Sequence, residues 1–220
     1  MVALRGFALS KNSNAYFTHG VASGDPLKDR VILWTRVIPG DGFDRGLDVE
    51  WQVAADKGFV EVTSSGHFFT DASRDFTVKV DASSLEPGRQ YFYRFLSEGV
   101  VSPTGVTRTL PVGEVARFRI GIASCSNYPQ GFFNAYRDMA SQDLDAVVHL
   151  GDYIYEYPDG GYANKEALER LNRHVQPEHE ILTLEDYRTR YGVYRTDQDL
   201  QKLHQKHPFI CVWDDHELTN

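Results

Sequence analysis

Three short segments of this chain carry side chains able to hold cations or move protons. They are Ser124-Cys125-Ser126-Asn127, Gly151-Asp152-Tyr153-Ile154-Tyr155-Glu156 and Asp214-Asp215-His216-Glu217. Carboxylates are oxygen ligands for hard cations. A thiolate and a phenolate add negative charge and suit a transition metal. Two metals about 3.5–4 Å apart clamp a phosphoryl group and lower the pKa of a bound water. Taken singly, each residue has a plainer reading. Asp152 after Gly151 reads as a turn carboxylate, Cys125 as a small buried apolar residue, and His216 as a surface histidine.

The elements before these segments make the grouping stronger than its members. Each segment follows an apolar run: Phe118–Ala123, Leu144–Leu150 and Pro208–Trp213. Open α/β sheets bind ligands at the carboxyl ends of their strands. If the three runs are parallel neighbours, a thiol, two carboxylates, a phenol and an imidazole share one rim. Between them the spacing predicts helices over Phe132–Ser141, from Thr183 to about Tyr191 or Tyr194, and over Asp197–His204. Thr183 and Asp186 form a capping box at the start of the second. Strands alternating with helices argue for a mostly parallel sheet.

The chain changes character near residue 112. Before it, strands are predicted at Val31–Val37, Asp48–Ala54, Gly58–Val62, His67–Thr70, Phe76–Val80, Tyr91–Ser97 and Val106–Thr109, punctuated by Gly, Pro, Asp and Ser. About a hundred residues and seven short strands fit a β-sandwich of the immunoglobulin or fibronectin type III kind. Leu85-Glu86-Pro87-Gly88 followed by Tyr91 suggests a corner where the tyrosine ties back to the upstream backbone. The organisation read is an N-terminal extension over 1–15, a β-sandwich over 16–112, and a partial α/β domain over 113–220. The fold class is therefore mixed.

Bulk properties exclude some functions. The formal charge of -8 gives no basic footprint for nucleic acid. No apolar run approaches a membrane span, and the first residues lack the apolar core of a signal peptide. A phosphate enzyme with this charge must concentrate positive charge locally, and a metal site does so. Cys125 and Cys211 are offset along the sheet, so no disulfide is expected.

At this point the sequence resembles a known family. Phe17-Thr18-His19-Gly20-Val21-Ala22-Ser23-Gly24-Asp25-Pro26, then Val31-Ile32-Leu33-Trp34-Thr35-Arg36, resembles the opening of the alkaline phosphatase D (PhoD-like) family. The three strand-end segments and Leu184-Glu185-Asp186-Tyr187-Arg188 are similar to that family's as well. The resemblance implies an N-terminal sandwich, a metallophosphatase domain, and hydrolysis of phosphate mono- or diesters by a metal-activated hydroxide. It implies Fe(III) and Ca(II) as metals. By the same likeness, Cys125 and Tyr155 bind Fe(III), Asp152 bridges the metals, Asp215 holds the second, and His216 stabilises or protonates near the scissile phosphate. Further ligands, histidines and an aspartate, are expected from strands after Asn220. The resemblance implies a location outside the cytoplasm or in the cell envelope. The alternatives are a phospholipase D-like phosphodiesterase, and an inactive fragment or non-catalytic sandwich that binds a partner.

Other residues receive plainer readings. Tyr153 and Tyr157 are read as packing residues, and Asp214 as orienting or structural. His149 is read as a core residue or one standing behind the ligands, and His67, His174, His179, His204 and His207 as surface or structural. Arg188 and Arg190 are placed on a solvated helix face, Gly20–Asp25 in a turn, and Cys211 buried in its strand.

Overall fold

The computed structural model describes residues 15–40 and 45–218. The expected extension over 1–15 lies outside the described residues except for Ala15. The first short pairing joins β1 (Ala15–Tyr16) to β4 (Ile38–Pro39). A five-stranded antiparallel sheet runs β10 (Gly105–Arg108), β8 (Gln90–Ser97), β5 (Leu47–Ala54), β6 (Val62–Thr70), with β9 (Val100–Val101) paired to β8. A six-stranded mixed sheet runs β11 (Ile120–Ala123), β12 (Ala146–His149), β13 (Phe209–Cys211), β2 (Val21–Gly24), β3 (Val31–Arg36), β7 (Thr77–Ala82).

Strand alternation builds the sandwich. Every second residue of β8 (Tyr91, Tyr93, Phe95) and of β3 (Val31, Leu33) points inward and is buried. These pack with Val49, Val53, Val78 and Val80 from both sheets in one core. Burying each such side chain contributes about 1.5–3 kcal/mol. The corner has the tyrosine tie, with Glu86 N–H donating to Tyr91 Oη at 2.8 Å.

The structure corrects the reading of Gly20–Asp25. It is not a turn, since Val21–Gly24 form an interior strand of the mixed sheet. Parallel pairing of Phe209 with Gly24 makes the sheet continuous across the change of character near residue 112. Only glycine fits there, because a Cβ on Gly24 would lie 2.9 Å from the Phe209 carbonyl oxygen. Gly58–Val62 and His67–Thr70 also differ from expectation. The segment before Val62 is a turn, and one strand runs through to Thr70. Gly66 sits mid-strand under the Trp51 indole, which stands where a Cβ would be.

The helices are α1 (Asn134–Met139), α2 (Lys165–Leu171), α3 (Leu184–Tyr194) and α4 (Gln198–Lys206). The capping box forms: Asp186 N–H donates to Thr183 Oγ1 at 3.2 Å and Thr183 N–H to Asp186 Oδ2 at 2.8 Å. Asp197 caps α4 through the Asp199 and Leu200 N–H groups. α1 and α4 cover one face of the parallel strands, where Tyr136, Val147, Leu200, Leu203 and Phe209 pack together. The other face leaves Ile120, Ile122, Ile210 and Val212 exposed. Cys211 is likewise exposed and not buried: it is the last residue of β13, and Phe209, two residues earlier, is the one packed with Leu200 and Leu203. Neither cysteine is bridged. Among the described residues, no helix is long and apolar enough to cross a membrane.

Arg190 is not on a solvated face. The residue is 1 % exposed, and its guanidinium donates to the carbonyls of Tyr155, Tyr157, Gln176, Pro177 and His179. Arg188 is half-buried and donates to Ser73 O at 2.8 Å, tying α3 to the sandwich.

Two buried histidines make stability depend on pH. Burial, with the nearby charges of Arg36 and Arg195, pushes His19 down to about 3. Burial, with the charge of Arg195, also depresses His204, which stacks on Phe209 at 3.7 Å. A depressed folded-state pKa leaves stability intact above the unfolded value near 6.5 and removes it as pH falls. Each ring is expected to cost about 1.4 kcal/mol per pH unit below 6.5. Urea midpoints at pH 7.5 and 5.5 check this. Equal midpoints would show that neither ring is held neutral by the fold.

Candidate active site

The three strand ends stand level. Ala123 pairs with His149 and His149 with Cys211, so the loops after β11, β12 and β13 leave the sheet at one height. Backbone bonds join the first two loops: Cys125 N–H to Gly151 O at 3.1 Å and Ser126 N–H to Asp152 O at 2.9 Å. The third loop is tied by a side chain. The Glu217 carboxylate, 5 % exposed, accepts from Asp152 N–H at 3.0 Å, Tyr153 N–H at 2.5 Å and Asp214 N–H at 2.8 Å. Gly151 has φ of 108°, and a Cβ there would strike Asp214 at 2.4 Å. Glycine is thus required on both counts.

These ties bring part of the anticipated set together. Asp152, Asp215 and His216 each offer a ligand atom within 4.8 Å of the others. Tyr155 donates its hydroxyl to Asp152 Oδ2 at 3.2 Å, and its ring lies 4.4 Å from that of His216. Cys125 is exposed on the neighbouring loop and does not join the three-residue cluster. A groove of about 580 Å³ opens there, lined by Cys125, Ser126, Asn127, Phe132, Tyr155 and Tyr162.

The electrostatics are those of a site short of positive charge. Desolvation, then the charges of Asp152 and Cys125, push the Tyr155 phenol above its ordinary range. Desolvation pulls His216 down, but its hydrogen bond and charge contact with Glu156 outweigh this, helped by Asp152 and Asp215, and its pKa rises. The Nδ1···Glu156 Oε2 distance is 2.8 Å. A bound cation would reverse both tendencies. The two carboxylates and the phenol fit such an ion, and the His216 ring stands beside them.

Two functional carboxylates were missed in the sequence. Glu156 (3 % exposed) and Glu217 are buried and each holds a partner in the site. The signal was their position inside segments already singled out. Tyr157 packs its ring against those of Tyr162 and His216, at 5.6 and 5.4 Å. Tyr153 stacks on Tyr191 at 5.9 Å. Asp214 is exposed and contributes its backbone N–H to Glu217. His149 is fully buried behind the rim.

Fold and site together define a β-sandwich whose inner sheet runs on into a parallel α/β segment bearing an acidic strand-end site. Two family models match it: the PhoD-like phosphatase model over residues 120–220, and the PhoD-like phosphatase N-terminal domain model over residues 4–111. The chain belongs to the PhoD-like phosphatase family. It is 42 % identical to alkaline phosphatase D of Bacillus subtilis (strain 168) over 217 residues, 95 % of this chain and 36 % of that protein. The solved structure of PhoD superposes with a TM-score of 0.87 at 41 % identity, covering 97 % of this chain and 41 % of that one. The chain therefore spans about two fifths or less of the length of either relative.

Proposed function

We propose that this chain contributes the first part of a metal-dependent phosphoesterase site acting on phosphate mono- or diesters. The carrying observation is the convergence of Asp152, Asp215 and His216 donors within 4.8 Å, with Tyr155 bonded to Asp152. Family likeness favours Fe(III) and Ca(II), with Cys125 and Tyr155 on the iron, Asp152 shared, and Asp215 on the second ion. When bound, such ions supply Lewis-acid activation of water and of the phosphoryl oxygens.

The chain's own residues have definite tasks. Asp152, placed between the other two loops, is the group that can be shared between ions. His216, held through Nδ1 by Glu156, presents its other nitrogen as a hydrogen-bond donor to a developing negative charge when it is the imidazolium, the form that Glu156, Asp152 and Asp215 favour. Glu217 fixes the backbone of both acidic loops. The groove beside Cys125 leaves room for the ester's alcohol moiety.

Two measurements test this. Equilibrium dialysis of the chain against Fe(III) and Ca(II) should show bound metal that Asp152→Ala removes. Grafting the chain in place of the matching segment of the Bacillus subtilis relative should give a chimera that hydrolyses p-nitrophenyl phosphate or its bis ester. Asp152→Ala in that chimera should abolish turnover. A chimera that turns over substrate equally well with Asp152→Ala would sink the proposed site.

A further inference from the structure

His149 ends β12, and its two ring nitrogens face different loops. Nδ1 accepts from the Gly151 N–H at 3.4 Å. A backbone N–H only donates, so the ring is the neutral tautomer with its proton on Nε2. Nε2 lies 3.2 Å from Tyr136 Oη and 3.3 Å from Ser126 Oγ. Those two hydroxyls also contact one another. A hydroxyl has one hydrogen and two acceptor lone pairs, so both can take part in this network at once.

The Ser126–His149 pair has the look of a nucleophile and its base. The tautomer excludes that role, because Nε2 already carries a proton and has no lone pair for the serine's. What the pair does have is a position between the two chemical loops. Ser126 follows Cys125, and Gly151 precedes Asp152. Cys125 and Asp152 hold φ of 56° and 55°, a left-handed conformation that L side chains disfavour. Such residues persist only where their surroundings over-determine them.

We infer that His149 is a positioning residue that clamps the Cys125 loop to the Asp152 loop, through Nε2 to Ser126 and Tyr136 and through Nδ1 to Gly151. The clamp fixes the thiol relative to the carboxylate. Its consequence for metal affinity rests on the reading given under Proposed function; the clamp itself does not.

Imidazole nitrogen NMR on the metal-free chain tests the tautomer directly. A proton on Nε2 of His149 is expected, and a proton on Nδ1 overturns the clamp. Three variants then separate its arms. His149→Asn retains an acceptor toward Gly151, His149→Gln retains a donor toward Tyr136 and Ser126, and His149→Phe retains neither. Amide hydrogen exchange at Gly151 and Ser126 should speed at least tenfold in the Phe variant and less in the other two. Unchanged exchange in all three variants overturns the proposal, and the Asn and Gln forms serve if the Phe form does not fold. Fe(III) titration of the wild-type chain, followed by the phenolate charge-transfer band, reads the consequence. Outer partners of metal ligands typically change affinity 10–100-fold, so the Phe variant should bind iron at least tenfold more weakly, with partial rescue in the others. A folded Phe variant that binds iron as the wild type does overturns the positioning role. A wild-type chain with the expected tautomer and exchange but no iron band overturns the metal reading and leaves the clamp standing.

Discussion

Arg190→Met is expected to destabilise the chain by about 3–5 kcal/mol, the range for breaking a buried charged network. Arg190 is 1 % exposed, and its guanidinium sits among five carbonyl acceptors from residues 155, 157, 176, 177 and 179. Burial alone opposes its charge and lowers its pKa. The five carbonyls offset that cost by replacing the water it gave up. Methionine fills much of the volume but leaves those carbonyls without donors in a segment that has few backbone partners of its own. The segment includes Tyr155 and Glu156, so the loss reaches the site. Urea unfolding of Arg190→Met beside Arg170→Met measures it. Arg170 makes an exposed i,i+4 pair with Glu166, and its loss is expected to cost no more than about 0.5 kcal/mol. Equal midpoints for the two variants would refute the central role of Arg190.

Arg190 also shows where sequence reading stops. Periodicity places it on α3, but nothing in the sequence says that a long coil with carbonyls to satisfy will wrap that helix. The same limit hides Glu156 and Glu217, since a buried carboxylate and a solvated one look identical in a string of letters. The strand ends were legible for the opposite reason. Apolar runs of strand length pair side by side in a sheet, and the polar residues after them then emerge on one rim. Asp152, Asp215 and His216 followed from that rule and do meet. The sandwich was legible from alternation, as in β8. Its sheet's continuation into β13 was not, because the pairing of Phe209 with Gly24 joins residues 185 positions apart with only a glycine to mark the approach.

Glu217→Ala is expected to lower stability by about 2–4 kcal/mol and to loosen two loops at once. Its carboxylate accepts three backbone N–H groups, from Asp152, Tyr153 and Asp214. An orphaned buried donor costs about 1–3 kcal/mol, and local relaxation toward water recovers part of that. Glu217→Gln should be nearly as harmful. One carboxamide oxygen can accept, but the amide nitrogen would face an N–H donor. A purely steric role predicts the reverse, since glutamine has the same shape. Unfolding midpoints and amide exchange at Asp152, Tyr153 and Asp214 separate these cases. Wild-type stability and protection in Glu217→Gln would mean that the carboxylate's charge and acceptors do not hold the rim. Slow exchange lost at all three amides in both variants would show that one side chain sets where the Asp152 and Asp215 loops stand.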